Sequence, residues 1–169
     1  MIVHKFGGTS IGNAQRFSSV AGTVIAQQAR NSPVVVVSAM SGVTNELIAA
    51  ANAAVSGNVA EIEAAIERLC ARHHETLDAL GLPKAERDGV RPRVDALLNE
   101  VRSLCHATAV LRELTPRGLD VISGMGERLS VPLVAAAIRA RGIPAQAVEA
   151  TELIVTDDRH GGASPLMDE

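Results

Sequence analysis

The 169-residue sequence predicts an α/β fold with an open, mostly parallel sheet, flanking helices and one inserted helical hairpin. An apolar run from Ile2 to Phe6 stops at Gly7-Gly8, and four consecutive valines at 34–37 follow an intervening helical pattern. A strand, a helix and a second strand in this order form a parallel pair joined by a crossover. A longer helical stretch then interrupts the alternation and predicts the hairpin.

The first helix is predicted over 13–30, where apolar side chains recur mostly at three- and four-residue spacing. The valine run after it has no polar face, so we expect a strand covered on both sides. A loop of small residues follows at 38–42, and Thr44 or Asn45 is the expected cap of a helix that reaches Val55.

Two helical patterns then predict an antiparallel hairpin inserted at about 59–112. The first ends at Gly81 and Pro83, and the second begins after Pro92.

The last third begins with Thr115-Pro116, a cap residue followed by proline at the first helical position. Pro132 has no N–H group, so a kink or a new helix start is expected just before it. Short strands are expected at 145–148 and 153–155. We treat 1–169 as one domain, and its open sheet, which leaves an unpaired edge, indicates a piece of something longer.

Composition argues against several classes of function. Phe6 and Phe17 are the only aromatic residues apart from histidines, and the net charge is −3, which argues against binding nucleic acid. No run of about 18 apolar residues is present, and no signal-peptide pattern follows Met1, so we expect a cytoplasmic protein without a membrane span. Cys70 and Cys105 are expected to be reduced thiols.

The strongest motif is Lys5-Phe6-Gly7-Gly8-Thr9-Ser10, at the carboxyl end of the first strand. Ligands bind at this edge of open α/β sheets, and glycines allow a phosphate to approach the backbone amides. Lys5 precedes the glycines, so the motif is not a Walker loop, and a solvated lysine beside a tight turn is the alternative. Only one other lysine, Lys84, occurs among the 16 basic residues.

Two further segments carry candidate binding residues. The hydroxyl-rich loop 38–45 leaves the second strand at the same sheet edge, although capping alone would explain its serines and threonine. Glu127 follows closely spaced glycines in an apolar helix and could pair with a substrate cation. The alternative is a surface carboxylate offset by Arg128.

Other polar groups are weaker candidates. Cys70 with His73, and Cys105 with His106, lack the four-ligand spacing of a zinc site, so no metal-binding residue is predicted. The polar loop with Asp157, Asp158 and His160 is more typical of a solvated connection.

Together, the Lys5 motif, the segment Val36 to Asn45, Leu114-Thr115-Pro116-Arg117 and Gly126-Glu127-Arg128-Leu129-Ser130 resemble the aspartate kinases of the amino acid kinase superfamily. Thr156-Asp157-Asp158 with Gly161, Ala163 and Pro165 is similar to the loop that follows in that family.

The resemblance implies Mg²⁺- and ATP-dependent phosphorylation of the side-chain carboxylate of L-aspartate, in lysine, threonine and methionine synthesis. Lys5, Gly7, Gly8 and Ser10 would take the phosphate-contacting positions, with Lys5 catalytic. Ser38, Thr44 and Glu127 would line the aspartate pocket, with Glu127 facing the ammonium group. The partners expected are therefore ATP and L-aspartate, in a homo-oligomer.

The length departs from the family, whose members carry about as much kinase domain again and usually ACT domains. The sequence therefore corresponds to the amino-terminal part of such a catalytic domain. A non-catalytic kinase-like fragment that binds a small amino acid or a partner subunit is the alternative function.

Overall fold

The computed structural model describes residues 2–28 and 33–167. In chain order these form β1 (Ile2–Phe6), α1 (Ala14–Gln28), β2 (Pro33–Val37), α2 (Val43–Val55), α3 (Val59–Ala79), α4 (Lys84–Leu111) and α5 (Pro116–Arg139). Single 3₁₀ turns occupy Gly8–Ile11 and Ala150–Glu152. The last two residues of the predicted first helix, 29 and 30, lie outside the described residues.

The two strands form a parallel pair, with Ile2 opposite Pro33 and Phe6 opposite Val37. Because α1 connects them, they form the predicted strand, helix, strand crossover. The α/β class with an open parallel sheet is confirmed.

The core lies on one side of this sheet. Phe6, Val35 and Val37 pack against the buried helical residues. On the other face Val3, Val34 and Val36 are 56%, 46% and 44% exposed. The expectation of a strand covered on both sides is wrong for the residues described, because β2 contacts helices α1 and α5 and both meet its inner face.

Helix α5 is the centre of the molecule, in contact with α1, α2, α4 and β2. It is the one described helix long and apolar enough to cross a membrane, and its most apolar window has a mean hydropathy of 1.4. However, 67% of that window is buried inside the protein. Its apolar character is therefore that of a core helix.

The hairpin forms as predicted, with α3 packed against α4, but α4 begins at Lys84 and not after Pro92. Pro92 removes one helical hydrogen bond, a cost that tertiary packing of the flanking turns can outweigh. The cap of α2 also differs from the prediction, since Gly42 holds this position with a φ of 83° and no side-chain cap forms.

Helix α5 begins as predicted, because the Thr115 hydroxyl accepts a hydrogen bond from the Gly118 amide at 3.0 Å. It continues through Pro132 without a new start, since the helix is buried against its neighbours at Leu129 and Ser130 before the proline and at Leu133 after it.

The strands predicted at 145–148 and 153–155 are not present in the described chain. The carbonyl of Ala145 accepts a hydrogen bond from the Arg139 guanidinium at 3.0 Å, which uses an acceptor that a strand would need. Ile154 donates to the Ala150 carbonyl and so belongs to a turn. The extended pairing seen beyond it is a single antiparallel bridge between Thr156 and Pro165.

Candidate functional site

The loop after β1 turns immediately into the 3₁₀ helix Gly8–Ile11, closed by a 2.8 Å hydrogen bond from the Ser10 amide to the Gly7 carbonyl. In the described residues, the amides of Gly8 and Thr9 donate to no backbone carbonyl. A Cβ atom on Gly7 would meet nothing within 4 Å in the part of the chain described, so this part of the loop is open. Exposed amides on an open loop are suited to an anionic ligand.

The loop after β2 leaves the sheet at the same edge, because the strands are parallel. The Ser38 amide donates to the Phe6 carbonyl at 3.1 Å and extends the pairing by one residue. A Cβ atom on Gly8 would lie 2.8 Å from the carbonyl oxygen of Ala39. The two loops therefore touch, and Gly8 is required for that contact whether or not it binds a ligand.

Helix α5 brings Glu127 to the same place. One carboxylate oxygen, Oε1, accepts hydrogen bonds from the Ala39 amide at 3.0 Å and from the Ser38 hydroxyl at 3.3 Å. The second oxygen, Oε2, has no hydrogen-bond partner within the part of the chain described. Glu127 is therefore anchored by one oxygen while the other is free to bind a donor.

The three segments that meet at Ala39 all lie within a region that matches a known family. The sequence matches the amino acid kinase family over residues 1–165. The chain belongs to the amino acid kinase family.

Several relatives within this family are aspartokinases. The chain is 34% identical to aspartokinase 1, chloroplastic, of Arabidopsis thaliana over 167 residues, which cover 95% of the chain and 27% of the relative. It is 30% identical to the lysine-sensitive aspartokinase 3 of Escherichia coli over 165 residues, 98% of the chain and 34% of the relative. The resemblance to aspartate kinases is confirmed over nearly the whole chain.

The fold is similar to that of a solved family member. A crystal structure of E. coli aspartokinase III in complex with aspartate and ADP superimposes with a TM-score of 0.84 at 26% identity. The match covers 99% of this chain and 35% of that one. This amino acid kinase chain therefore spans about a third or less of the length of the relatives it matches.

The structure brings together some, but not all, of the predicted site residues. Ser38 and Glu127 are in contact, and Gly8 reaches the loop that Ser38 begins. Thr44 is half-buried in the first turn of α2. Lys5 is exposed, and among the described residues it has no ion-pair partner.

Arg128 does not neutralise Glu127. Its guanidinium donates to Glu100 and to Glu149, each at 2.8 Å, on the side of α5 that faces the hairpin. The alternative that Glu127 is a surface carboxylate offset by Arg128 therefore has no support from the contacts.

Ala39 and Gly126 belong to the site although the sequence did not predict a role for either. The amide of Ala39 binds Glu127 and its carbonyl lies beside Gly8, while Gly126 packs directly against its methyl group. A glycine in the middle of a helix lowers its stability, so Gly126 was the one sequence signal that another segment packs closely against α5.

The other polar candidates serve local structure. Asp157 Oδ1 accepts the amides of Arg159 and Ser164 and so shapes its own loop. Asp120 on α5 accepts the Gly161 amide at 2.7 Å, which attaches this loop to the helix. His106 lies 2.6 Å from a carboxylate oxygen of Glu63, across the hairpin.

The thiols are not activated. Burial raises the pKa of Cys105 to about 11 and also raises that of Cys70. No group of three or more His, Cys, Asp or Glu side chains arranged to hold a metal ion occurs in residues 2–28 and 33–167.

Proposed function

We propose that this chain carries part of the active site for ATP-dependent phosphorylation of the side-chain carboxylate of L-aspartate to 4-phospho-L-aspartate. The observation that carries the proposal is the convergence of three segments on Ala39, with Gly8 on one side and Glu127 on the other. Such a junction at the carboxyl edge of a parallel sheet is where α/β proteins bind ligands.

Glu127 is the proposed partner of the substrate ammonium group. Its Oε1 atom is held by Ser38 and Ala39, which fixes the direction of the carboxylate and leaves Oε2 to accept from the substrate. We place Thr44 in the same pocket, since it lies in the first turn of α2, next to this loop. A charge-assisted hydrogen bond of this kind favours an amino acid over an uncharged substrate.

The phosphate groups of ATP are assigned to Lys5, Gly7, Gly8 and Ser10. Among the described residues, the amides of Gly8 and Thr9 donate to no backbone carbonyl, and a Cβ atom on Gly7 would meet nothing within 4 Å, so the loop fits an anion. We assign no residue of this chain to the Mg²⁺ ion, which is commonly bound in such sites through phosphate oxygens and waters.

The chemistry requires little proton transfer. The side-chain carboxylate of aspartate, with an ordinary pKa of about 3.9, is already ionised at neutral pH and can attack without a general base. The barrier is repulsion between this anion and the triphosphate, so cations and amides along the transferring group are needed. Lys5 supplies a compact positive charge for this purpose.

We further assign the chain to the amino-terminal part of a catalytic domain, with the helical insertion at about 59–112, in a cytoplasmic homo-oligomer. Lysine, threonine and methionine synthesis would be the metabolic setting. The same site supports a second candidate, a kinase-like module that binds an amino acid or a partner subunit without turnover. The anchored Glu127 carboxylate would bind an ammonium group in either candidate.

Trapping of the acyl phosphate with hydroxylamine distinguishes the two candidates. The chain alone, and a chimera in which it replaces the matching third of E. coli aspartokinase III, are incubated with Mg-ATP, aspartate and hydroxylamine. We expect aspartyl hydroxamate from the chimera. A folded chimera that binds aspartate and ATP but forms no hydroxamate would contradict the catalytic proposal and leave the binding module.

Lys5→Ala in the active chimera should lower kcat by about 100- to 1000-fold, the scale of one preorganised electrostatic donor. The matched control is Lys84→Ala, since Lys84 is the other lysine and pairs with Asp88 on the exposed surface of α4. An unchanged kcat for Lys5→Ala would exclude the role proposed for the lysine.

A further inference from the structure

Gly126 occupies a buried position in the middle of α5. Glycine in a helix interior is less stable than alanine, so its presence there needs a structural reason. The space around it supplies one. A Cβ atom at this position would lie 2.6 Å from the Ala39 Cβ, 3.3 Å from Val43 Cγ1 and 3.4 Å from Leu47 Cδ1.

The closest of these neighbours has little freedom to move. The Ala39 methyl group is fixed to a backbone whose amide donates to Glu127 and whose carbonyl lies against Gly8. Non-bonded carbon atoms prefer separations of about 3.5–4.0 Å, so a methyl group at 126 would push α5 and the loop apart by about 1 Å.

Such a displacement would act on the adjacent residue. Glu127 Oε1 lies 3.0 Å from the Ala39 nitrogen and 3.3 Å from the Ser38 hydroxyl. An increase of about 1 Å takes both distances beyond the range of a hydrogen bond. The absence of a side chain at 126 is therefore coupled to the hydrogen bonds that orient Glu127.

We propose that Gly126 is a positioning residue: its missing side chain lets α5 approach Ala39 closely enough for Glu127 to be anchored by the loop, with the second carboxylate oxygen directed to the substrate ammonium group. The link to substrate rests on the proposed function; the positioning of Glu127 does not.

The amide proton at position 39 reports this hydrogen bond directly. In ¹H–¹⁵N spectra of the chain, a bond to a carboxylate shifts that proton downfield and slows its exchange with solvent. Glu127→Ala defines the signal when the bond is absent. We expect Gly126→Ala to resemble Glu127→Ala at this proton.

Gly124→Ala is the matched control. Gly124 lies on the same helix, two residues away, and a Cβ atom there would meet nothing within 4 Å among residues 2–28 and 33–167. The signal at position 39 should keep its native shift and exchange rate in this variant. If Gly126→Ala also keeps them, the proposal is wrong.

The double variant Ala39→Gly with Gly126→Ala tests the cause and guards against loss of folding in the single variant. Removing the methyl group at position 39 removes the closest collision, so the amide signal should return toward that of Ala39→Gly alone. Lack of recovery in a folded double variant would show that the 126–39 contact does not control Glu127.

Aspartate binding, measured by calorimetry on the same variants, separates the two proposals. Where the wild type binds aspartate, Gly126→Ala should raise the dissociation constant about tenfold or more, which is the cost of losing a hydrogen bond to a charged group. Gly124→Ala should leave the dissociation constant unchanged. An unchanged constant in Gly126→Ala would overturn the substrate link. If neither the wild-type chain nor its chimera with E. coli aspartokinase III binds aspartate, the proposed function fails, and the amide signal still decides whether Gly126 positions Glu127.

Discussion

The imidazole of His73 on α3 is completely buried. Its Nδ1 atom lies 2.7 Å from the Leu69 carbonyl, so it donates a hydrogen to that oxygen in the neutral tautomer. Nε2 has no hydrogen-bond partner among the described residues. Burial lowers the pKa of His73, with a smaller opposing contribution from the Leu69 bond. The folded protein therefore holds this side chain neutral.

This lowered pKa predicts a pH-dependent loss of stability. The unfolded chain binds a proton at His73 near pH 6.5 while the folded chain does not, so the free energy of unfolding falls as the pH drops below about 6.5. The decrease continues until the pH reaches the lower folded-state pKa. Above the unfolded value His73 contributes no pH dependence.

His73→Leu removes the titrating group and should flatten this part of the profile. The measurement is urea unfolding of both proteins at pH 8.5, 7.5, 6.5 and 5.5. Between pH 8.5 and 7.5 the free energy of unfolding should change equally in the two proteins. Carboxylates that also titrate contribute equally to the two profiles. Parallel profiles between pH 6.5 and 5.5 would contradict the prediction.

Single residues of the site differ in how far the sequence predicts them. Glu127 and Ser38 can be recognised from the sequence, because a carboxylate in an apolar helix and a serine at the end of a strand are typical of binding sites. The structure places the two side chains in contact. Ala39 has no polar side chain and so gives no such signal. Its amide binds Glu127, its carbonyl lies beside Gly8 and its methyl group packs against Gly126. These neighbours are distant in sequence, so no local pattern reveals the contacts.

At the scale of elements, helix periodicity proved more reliable than the breaker signals of proline. Both Pro92 and Pro132 lie inside continuous helices. Proline costs about 3 kcal/mol in a helix interior, but burial of the apolar stripes of α4 and α5 on both sides of the proline outweighs that. The predicted strand at 145–148 was wrong for a related reason: Arg139, itself bound bidentately to Glu86, takes the carbonyl of Ala145.

Gly89 on α4 offers a test of helix energetics without a packing change. It is exposed, and of the residues described none would lie within 4 Å of a Cβ atom there. Gly89→Ala should therefore raise the free energy of unfolding by about 0.5–1 kcal/mol.

The contrasting variant is Gly42→Ala at the start of α2, where a φ of 83° strains any residue with a Cβ atom. It should lower the free energy of unfolding by about 1–2 kcal/mol. Urea unfolding measures both. A destabilising Gly89→Ala would show that this glycine accommodates the helix around Pro92, three residues later.

For the whole molecule, the sequence predicts the order of elements and the hairpin but not which sheet face is covered. A run of valines indicates burial on both faces, and that inference uses composition alone. Whether a sheet face is buried depends on where the helices pack. Among the described helices, α1 and α5 contact β2, and both pack on one side of it. The outer valines therefore lie on a surface that the described residues leave exposed.

Neighbouring residues on β2 allow the one-sided core to be measured. Val36 is 44% exposed on the outer face, whereas Val37 is half-buried and packs against the core. Val36→Thr should change the free energy of unfolding by no more than about 0.5 kcal/mol, because threonine suits a strand and the site is solvated. Val37→Thr places a hydroxyl group against the core and should cost about 1–2 kcal/mol.

Both variants replace a valine by a threonine on the same strand. The difference between their free energies of unfolding therefore reports the difference in burial between the two sheet faces. Urea unfolding at low protein concentration gives the two values, and a tenfold higher concentration tests whether the outer face is covered by association. Equal costs at both concentrations would mean that Val36 is buried in solution. In that case the core continues on the outer side of the sheet, against residues other than those described.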